Sequence, residues 1–318
     1  MSGNWQMSSC PVDVPGGNSR AEGTMSRVEE AIGARMRDFT TMGIGGAVDR
    51  LVFPRSVREI QEVLVSERAA SREVRVLGAG SNLLVSDDGV RETVVCIRKN
   101  MGKVFFGSPG SVVADAGVML PRFVVLCALS ACSGIEELGG IPGTIGGALT
   151  MNAGAYGRSI GEIVEWVEIV DPAGELHRVP AKEICFSYRT AEYPVTGIIV
   201  RAAFRLRPGR TDDSFSRMKE LNERRRANQP WGERTFGSTF RNPPEGERAG
   251  ILLERAGMKG AREGDAAYSE KHANFMVNRG RATASQVLRL IARGREAVRS
   301  LAGVTLATEV TMWGIAYE

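Results

Sequence analysis

Two stretches of this chain could hold a phosphate without using side-chain charge. Gly139–Gly157, GGIPGTIGGALTMNAGAYG, has seven glycines among its 19 residues and no Lys, Arg, Asp or Glu. A solvated loop would carry charge, and a regular helix or strand would carry less glycine. Glycine lets the backbone bring bare amides close to a bulky anion, and inward-turned amides form a nest for phosphate or pyrophosphate. A Gly-rich hairpin at a tight core crossing is the competing interpretation. The second stretch, Leu77–Val85, reads LGAGSNLLV and follows the strand-like run Val74–Leu77. It offers Gly78, Gly80, Ser81 and Asn82 as small donors. It is neither a GxGxxG opening a helix nor a GxxxxGK[ST] loop, which argues against a P-loop kinase or ATPase. Two uncharged Gly-rich loops predict a large dinucleotide gripped from two sides.

Other groups able to do chemistry are more ambiguous from the residues alone. Glu309 lies in the predicted strand Val304–Met312, whose apolar face is Val304, Leu306, Val310 and Met312 with Thr308 in register. Its carboxylate is either a solvated strand residue or a group aimed into a cleft. Arg224, Arg225 and Arg226 end a charged helix, where they are either solvated or able to reach anionic substrate oxygens. His177 and His272 are too few and too separated for a His-based metal centre, and no metal site is expected. The five cysteines, at 10, 96, 127, 132 and 185, form no CxxC and indicate reduced thiols.

The composition is that of a globular chain: 318 residues, 43% hydrophobic and 25% charged. A net charge of +4 suits an anionic small molecule and calls for no nucleic acid. With aromatics at 6%, no basic, aromatic-studded strand pair suggests an RNA-binding sheet. The most apolar run, Phe123–Cys132, is well short of the ~20 residues that span a bilayer. Met1–Asn18 lacks the basic start and apolar core of a secretory signal.

The elements that would position these loops follow from periodicity and caps. Residues 1–24 read as a disordered extension, with helical spacing beginning near Val28 and Ile32. Residues 25–97 read as a β–α–β unit. A third glycine-bearing turn, Phe39–Asp49, leads to the strand Arg50–Phe53. Ser56 and Glu59 form a capping box for a helix with Val57, Ile60, Val63 and Leu64 on its apolar face. The strands Val74–Leu77 and Thr93–Ile97 complete the unit. Residues 98–210 carry the β-type runs Val112–Ala116, Val164–Val170 and Ile198–Leu206 around a helix at Pro121–Ser133. A hairpin turns at Asp171–Gly174, and Pro208–Thr211 reads as a linker. Residues 211–318 form a last domain with helices Ser214–Ala227 and Ala284–Leu301, the second opened by a Thr283/Gln286 box. The expected architecture is a mixed sheet with the dinucleotide between two α+β lobes.

Six motifs in order carry a resemblance: LGAGSNLLV (77–85), GIPGTIGGALTMNAGAYG (140–157), FSYR (186–189), GSTFRNP (237–243), SEKHANFMVN (269–278) and LATEV (306–310). Over roughly residues 25–315 the chain resembles the UDP-N-acetylenolpyruvoylglucosamine reductase family. The resemblance implies an α+β fold: a two-subdomain FAD-binding fold of the vanillyl-alcohol oxidase type plus a C-terminal α/β substrate domain. It implies non-covalent FAD and NADPH as co-substrate. The reaction implied is reduction of UDP-N-acetylglucosamine enolpyruvate to UDP-N-acetylmuramate, in peptidoglycan precursor synthesis. The family association extends to cell shape, cell cycle and cell division, in the cytoplasm, by a monomer with no nucleic-acid or membrane partner.

Site residues follow by motif. Gly78, Ala79, Gly80, Ser81, Asn82, Leu83, Pro142, Gly143, Thr144, Gly146, Gly147, Asn152, Gly154 and Ala155 would face FAD. Arg189 would hold charge developing beside the substrate carboxylate. Glu309 would hold or polarise the carboxyl end, its pKa raised by a nearby anion. Ser238 would donate the proton to carbon. Arg241, Asn242, Lys271, His272 and Asn274 would contact the UDP-sugar. No insertion carries a substrate-clamping tyrosine, so the chain resembles the shorter family subtype, with Tyr156, Tyr188 and Tyr193 poor substitutes by sequence position. Arginine at 241 where lysine is common, and threonine at 308 where proline often precedes the glutamate, depart from the pattern. The rival functions are a superfamily oxidase, often with His-linked flavin, and a non-catalytic UDP-sugar or flavin binder.

Overall fold

A computed structural model describes residues 28–316; the extension assigned to 1–24, with Cys10, lies outside the described residues. The first lobe is a four-stranded sheet in the order Glu29–Ile32, Val48–Phe53, Val90–Cys96, Val74–Leu77. The last three strands are parallel, and the first pairs antiparallel at the edge. The spacing at Val28 and Ile32 therefore belongs to a strand and not to a helix. Alternation of intermediate and exposed residues there fits an edge strand with one half-covered face.

The helix Val57–Ala69 is opened by Ser56, whose hydroxyl accepts the Glu59 N–H at 3.2 Å. Such a cap contributes about 1 kcal/mol. The Glu59 carboxylate closes the turn on the N–H of Arg55 at 2.8 Å. Ile60, Val63 and Leu64 are buried in one core with Val167, Ile169 and Val200 of the second lobe. This helix is thus the layer between two sheets. The outer face of the first sheet has its own core, with Leu51, Val94, Leu77 and Trp313.

The second lobe is a five-stranded, wholly antiparallel sheet in the order Leu176–Pro180, Val164–Val170, Ile198–Arg205, Ser111–Asp115, Val104–Phe106. The mixed sheet of the sequence reading is therefore the first sheet alone. The Asp171–Gly174 turn is present, with Asp171 Oδ1 accepting from Ala173 and Glu175 N–H. The helix Leu120–Leu129 stops earlier than its pattern, because Ala131 takes a left-handed φ of 55°. The predicted linker is ordered. Arg207–Pro208 pairs with Cys132–Ser133, and a helix runs from Thr211 to Asn228.

The C-terminal domain has three short antiparallel strands, Arg262–Glu263, Ala266–Tyr268 and Met276–Asn278. They pack on the helices Ala249–Arg255 and Ala284–Ala302. The longer helix carries the predicted capping box and ends at Gly303, with φ 67°. The run Val304–Met312 is not one strand. Residues 307–309 pair with 239–241 through Arg241 N–H to Ala307 O (2.9 Å) and Glu309 N–H to Thr239 O (2.8 Å). Thr311–Trp313 then joins Leu83–Val85 in parallel. The chain's end is thereby stitched beside the first Gly-rich loop. No helix is long and apolar enough to cross a membrane among the described residues.

Candidate functional site

The two Gly-rich loops meet. The Ser81 hydroxyl donates to Pro142 O at 2.8 Å, and a Cβ on Gly78 would fall 2.5 Å from Thr144 Oγ1. Glycine at 78 is therefore required by loop-to-loop contact. Thr144 is fully buried and caps the short helix Ile145–Thr150, accepting the Gly147 N–H at 3.3 Å. The Gly-rich stretch thus contains a helical turn, contrary to its glycine content, because the cap and the buried Ile145, Ala148 and Leu149 outweigh propensity.

The backbone N–H groups of residues 78–82, 143 and 144 donate no hydrogen bond among the described residues. Buried or half-buried amides are normally paired. A row of free donors from two touching loops, with no carboxylate among them, fits a pyrophosphate. Gly78, Ala79, Gly80, Ser81, Asn82, Pro142, Gly143, Thr144 and Gly147 form that cradle. Gly146 and Leu83 are buried beneath it. Asn82 also ties it to the far end of the chain, donating to Glu309 O at 3.1 Å.

Asn152 is a support for the neighbouring motif. At φ 41°, its amide donates to Ser187 O (2.8 Å) and accepts from Gly161 N–H (3.1 Å). This fixes the hairpin Cys185–Ser187/Thr190–Glu192, whose turn holds Arg189 at φ 58°. Gly154, paired with Ser159 in a two-residue ladder beside Ala155, offers its carbonyl to Arg189 Nη1 at 3.1 Å.

Arg189 and Glu309 form the charged centre. Arg189 Nε lies 2.9 Å from Glu309 Oε1, and the two side chains are only 24% and 12% exposed. The contact is one of charge: the Arg189 Nε–H has no hydrogen-bond acceptor in line. The buried Arg241 Nε and Thr239 Oγ1 are likewise without partners among the described residues. Burial raises the Glu309 pKa, and the charges of Arg189 and Arg241 oppose the rise. The rise comes from desolvation, before any substrate anion is brought near. Buried donors without partners, two of them guanidinium N–H groups near one carboxylate, are suited to an anion with several acceptor oxygens.

Ser238 stands on the strip that completes this centre. The strip bridges Phe275 on one side, with Thr239 N–H to Asn274 O at 2.8 Å, and residues 307–309 on the other. The half-buried Ser238 hydroxyl makes no hydrogen bond among the described residues, and only backbone links it to Glu309. Asn274 is committed to this strip: its amide bonds the N–H (3.0 Å) and C=O (2.8 Å) of Phe240. Asn242 accepts from Ala249 N–H at 3.1 Å and donates to Tyr188 Oη at 3.3 Å. His272 is half-buried, and Lys271 reaches Arg226 O at 2.9 Å.

Among the tyrosines, Tyr156 and Tyr193 are tied to Leu221 O (3.4 Å) and Leu149 O (3.1 Å). Tyr188 instead stands exposed beside Arg189 and against Asn242. Sequence distance hid this, since Tyr188 and Asn242 sit in different domains. Thr239 was also missed; only its place in GSTFRNP could have pointed to it. His177 is away from the loops, 2.9 Å from Asp171 on the Asp171–Glu175 hairpin. Asp171, Glu175 and His177 bring ligand atoms within 4.8 Å of one another there.

Known proteins align with both halves of this site. A model of the FAD binding domain family matches residues 48–180, and one of the UDP-N-acetylenolpyruvoylglucosamine reductase C-terminal domain matches residues 229–313. The reductase of that name from Moorella thermoacetica is 40% identical over 275 residues, 86% of this chain and 90% of its own. The one from Clostridium tetani is 37% identical, over 88% and 90%. The crystal structure of the reductase from Thermus caldophilus superposes with a TM-score of 0.76 at 35% identity, covering 90% of this chain and 99% of that one. Identity and coverage of this extent, across the cradle and the charged centre alike, establish that the chain belongs to the UDP-N-acetylenolpyruvoylglucosamine reductase family.

Proposed function

We infer that this protein is an FAD-dependent oxidoreductase that uses NADPH to reduce UDP-N-acetylglucosamine enolpyruvate to UDP-N-acetylmuramate, a step of peptidoglycan precursor synthesis. The observation that carries the reading is the Arg189–Glu309 pair, next to a strip that carries unpartnered donors of Thr239 and Arg241, beside a cradle of free amides. FAD, when bound, supplies the hydride. Free amides of 78–82 and 143–144 would hold its pyrophosphate, with Asn152, Gly154 and Ala155 flanking the ring system.

The remaining chemistry belongs to side chains. Arg189 is fixed by Gly154 O and by the Asn152-anchored hairpin. It would meet the substrate carboxylate with a permanent charge, and Arg241 would meet it from the strip. As negative charge grows on the carbon next to the carboxylate, these guanidinium groups would stabilise it in a site with little water. Glu309, held towards its neutral form by burial, could share a hydrogen bond with that carboxyl group instead of repelling it. Ser238, whose hydroxyl is uncommitted, would deliver the proton to carbon. Asn242, Lys271 and His272 would line the path of the UDP-sugar, Asn274 acting through the strip it braces and Tyr188 closing one side. The same reading places the protein in the cytoplasm, as a monomer, in service of cell shape, the cell cycle and cell division.

The test is spectroscopic. Under anaerobic conditions NADPH should bleach the flavin band of the purified protein, and UDP-N-acetylglucosamine enolpyruvate should restore it. Return of the band only with oxygen would instead indicate an oxidase, and a protein that takes up no FAD would defeat the reading altogether.

A further inference from the structure

The helix Thr211–Asn228 buries one stripe: Ser214, Met218, Leu221 and Arg225. The spacing is that of a core face, and its last position calls for an apolar side chain. Arg225 occupies it at 8% exposure, whereas the adjacent Arg224 and Arg226 lie outside. No carboxylate among the described residues pairs with Arg225, whose neighbours are a carbonyl and an aromatic ring. Burying an uncompensated guanidinium is costly, and a hydrophobic residue of similar volume commonly packs as well or better.

What Arg225 does touch is the Gly139–Gly157 stretch, at both ends. Its Nη1 donates to Gly140 O, and its guanidinium lies 5.8 Å from the centre of the Tyr156 ring, which the exposed Arg224 approaches to 5.3 Å. Fit is close: a Cβ on Gly140 would stand 2.8 Å from Arg225 Nε. Tyr156 returns the link, its hydroxyl donating to Leu221 O one turn earlier on the same helix. Between these two anchors lie the free amides of 143 and 144 and the Gly154 carbonyl that fixes Arg189.

We propose that Arg225 is a positioning residue for the flavin cradle, clasping both ends of the Gly-rich stretch to the helix Thr211–Asn228 so that the amides between them are set before the cofactor arrives. The proposal rests on the flavoenzyme reading above. A preset row of donors binds more tightly than one ordered on binding. A guanidinium can serve a carbonyl and a ring face together, which an ammonium does less well.

The experiment compares wild type with Arg225→Met, Arg225→Lys and Tyr156→Phe after removal of flavin, by FAD titration, by the melting temperature of the FAD-free protein and by KM for the enolpyruvyl substrate at saturating FAD. Arg225→Met should weaken FAD by about ten-fold, the size of one lost charge-assisted hydrogen bond, with the FAD-free melting temperature unchanged or higher. Arg225→Lys should fall between, and Tyr156→Phe should loosen FAD by about three-fold through the lost tie to Leu221. FAD affinity equal to wild type in all three overturns the proposal. So does a rise confined to substrate KM, which would make Arg225 a substrate contact. If Arg225→Met does not fold, the other two variants decide in the same way. Wild type that takes up no FAD would instead sink the flavoenzyme reading itself.

Discussion

The cradle and the charged centre lie side by side and are made of opposite materials. Residues 78–82, 143 and 144 present free main-chain N–H groups, and the 142–147 segment and its partner loop carry no charged side chain. Around Arg189 the polar groups are side chains, drawn from three separate segments of sequence: donors at 189 and 239–241 and a carboxylate at 309. A backbone site is set by where the chain can go, and so by glycines and by what packs behind them. A side-chain site is set by which charges are buried together. The first should fail by steric exclusion of its ligand, the second by loss of rate with the ligand still bound.

The sharpest break of that comparison is at the proton donor and the guanidinium. Ser238→Ala should lower turnover by roughly 10²–10⁴-fold while leaving the flavin spectrum and FAD affinity as in wild type. Arg189→Lys, which keeps charge but not the planar fork, should cost about 10²–10³-fold in kcat. Stopped-flow following of the NADPH step and of the enolpyruvyl step separates the two. Loss should appear only in the second, and a variant equally slow in both would return Arg189 to a structural role.

The converse prediction concerns Gly78. A methyl group there would sit 2.5 Å from Thr144 Oγ1, forcing the two loops apart. Gly78→Ala should destabilise the protein by about 1–3 kcal/mol and purify largely without flavin. Reconstituted with excess FAD, it should recover most of its turnover, because the charged centre is untouched. Calorimetry and flavin occupancy check both halves. Normal occupancy would show that the loops do not need their contact.

These two regions also differ in how far sequence reveals them. The cradle's glycines, the Ser56 cap and the Thr283/Gln286 box are local signals, and local geometry followed them. The charged centre is not local. Arg189 meets Glu309 only because residues 307–309 leave the strand pattern at Thr308 to pair with 239–241, and Thr311–Trp313 then returns to the first lobe. Nothing in the apolar spacing of Val304–Met312 tells where that run divides. Arg225 was hidden for a related reason. Three consecutive arginines at a helix end look solvated, and only the partner face, Gly140 with Tyr156, shows which one turns inward. A strand at Glu29–Ile32 was concealed because four residues fit either period.

Smaller effects should come from titration. Burial lifts Glu309 above its usual 4.5, so the folded protein holds a proton there that the unfolded chain releases. Stability from this group is therefore present below about pH 4.5 and declines as pH rises through the raised value. Glu309→Gln should flatten that part of the profile of melting temperature against pH in the flavin-free protein. An unaltered profile would mean that Arg189 and Arg241 offset the burial in full.

His272 titrates in the opposite sense. Burial lowers its pKa below 6.5, and its Nδ1 accepts the Asn274 N–H at 3.2 Å, a role only the ring without a proton on that atom can play. The folded state thus binds fewer protons than the unfolded chain. The associated stability is full above pH 6.5 and is lost as pH falls through the lowered value. Protonation would also release the turn at 272–275, whose Asn274 carbonyl holds Thr239 and with it the strip bearing Ser238. Between pH 7 and 5, melting temperature should fall less steeply in His272→Gln than in wild type. Hydrogen-exchange protection of the Thr239 amide, taken relative to the intrinsic rate at each pH, should fall with acid in wild type alone. If that protection stays constant across this range, the histidine's titration does not reach the proton donor, and the centre is braced by Asn274's own amide bonds to Phe240.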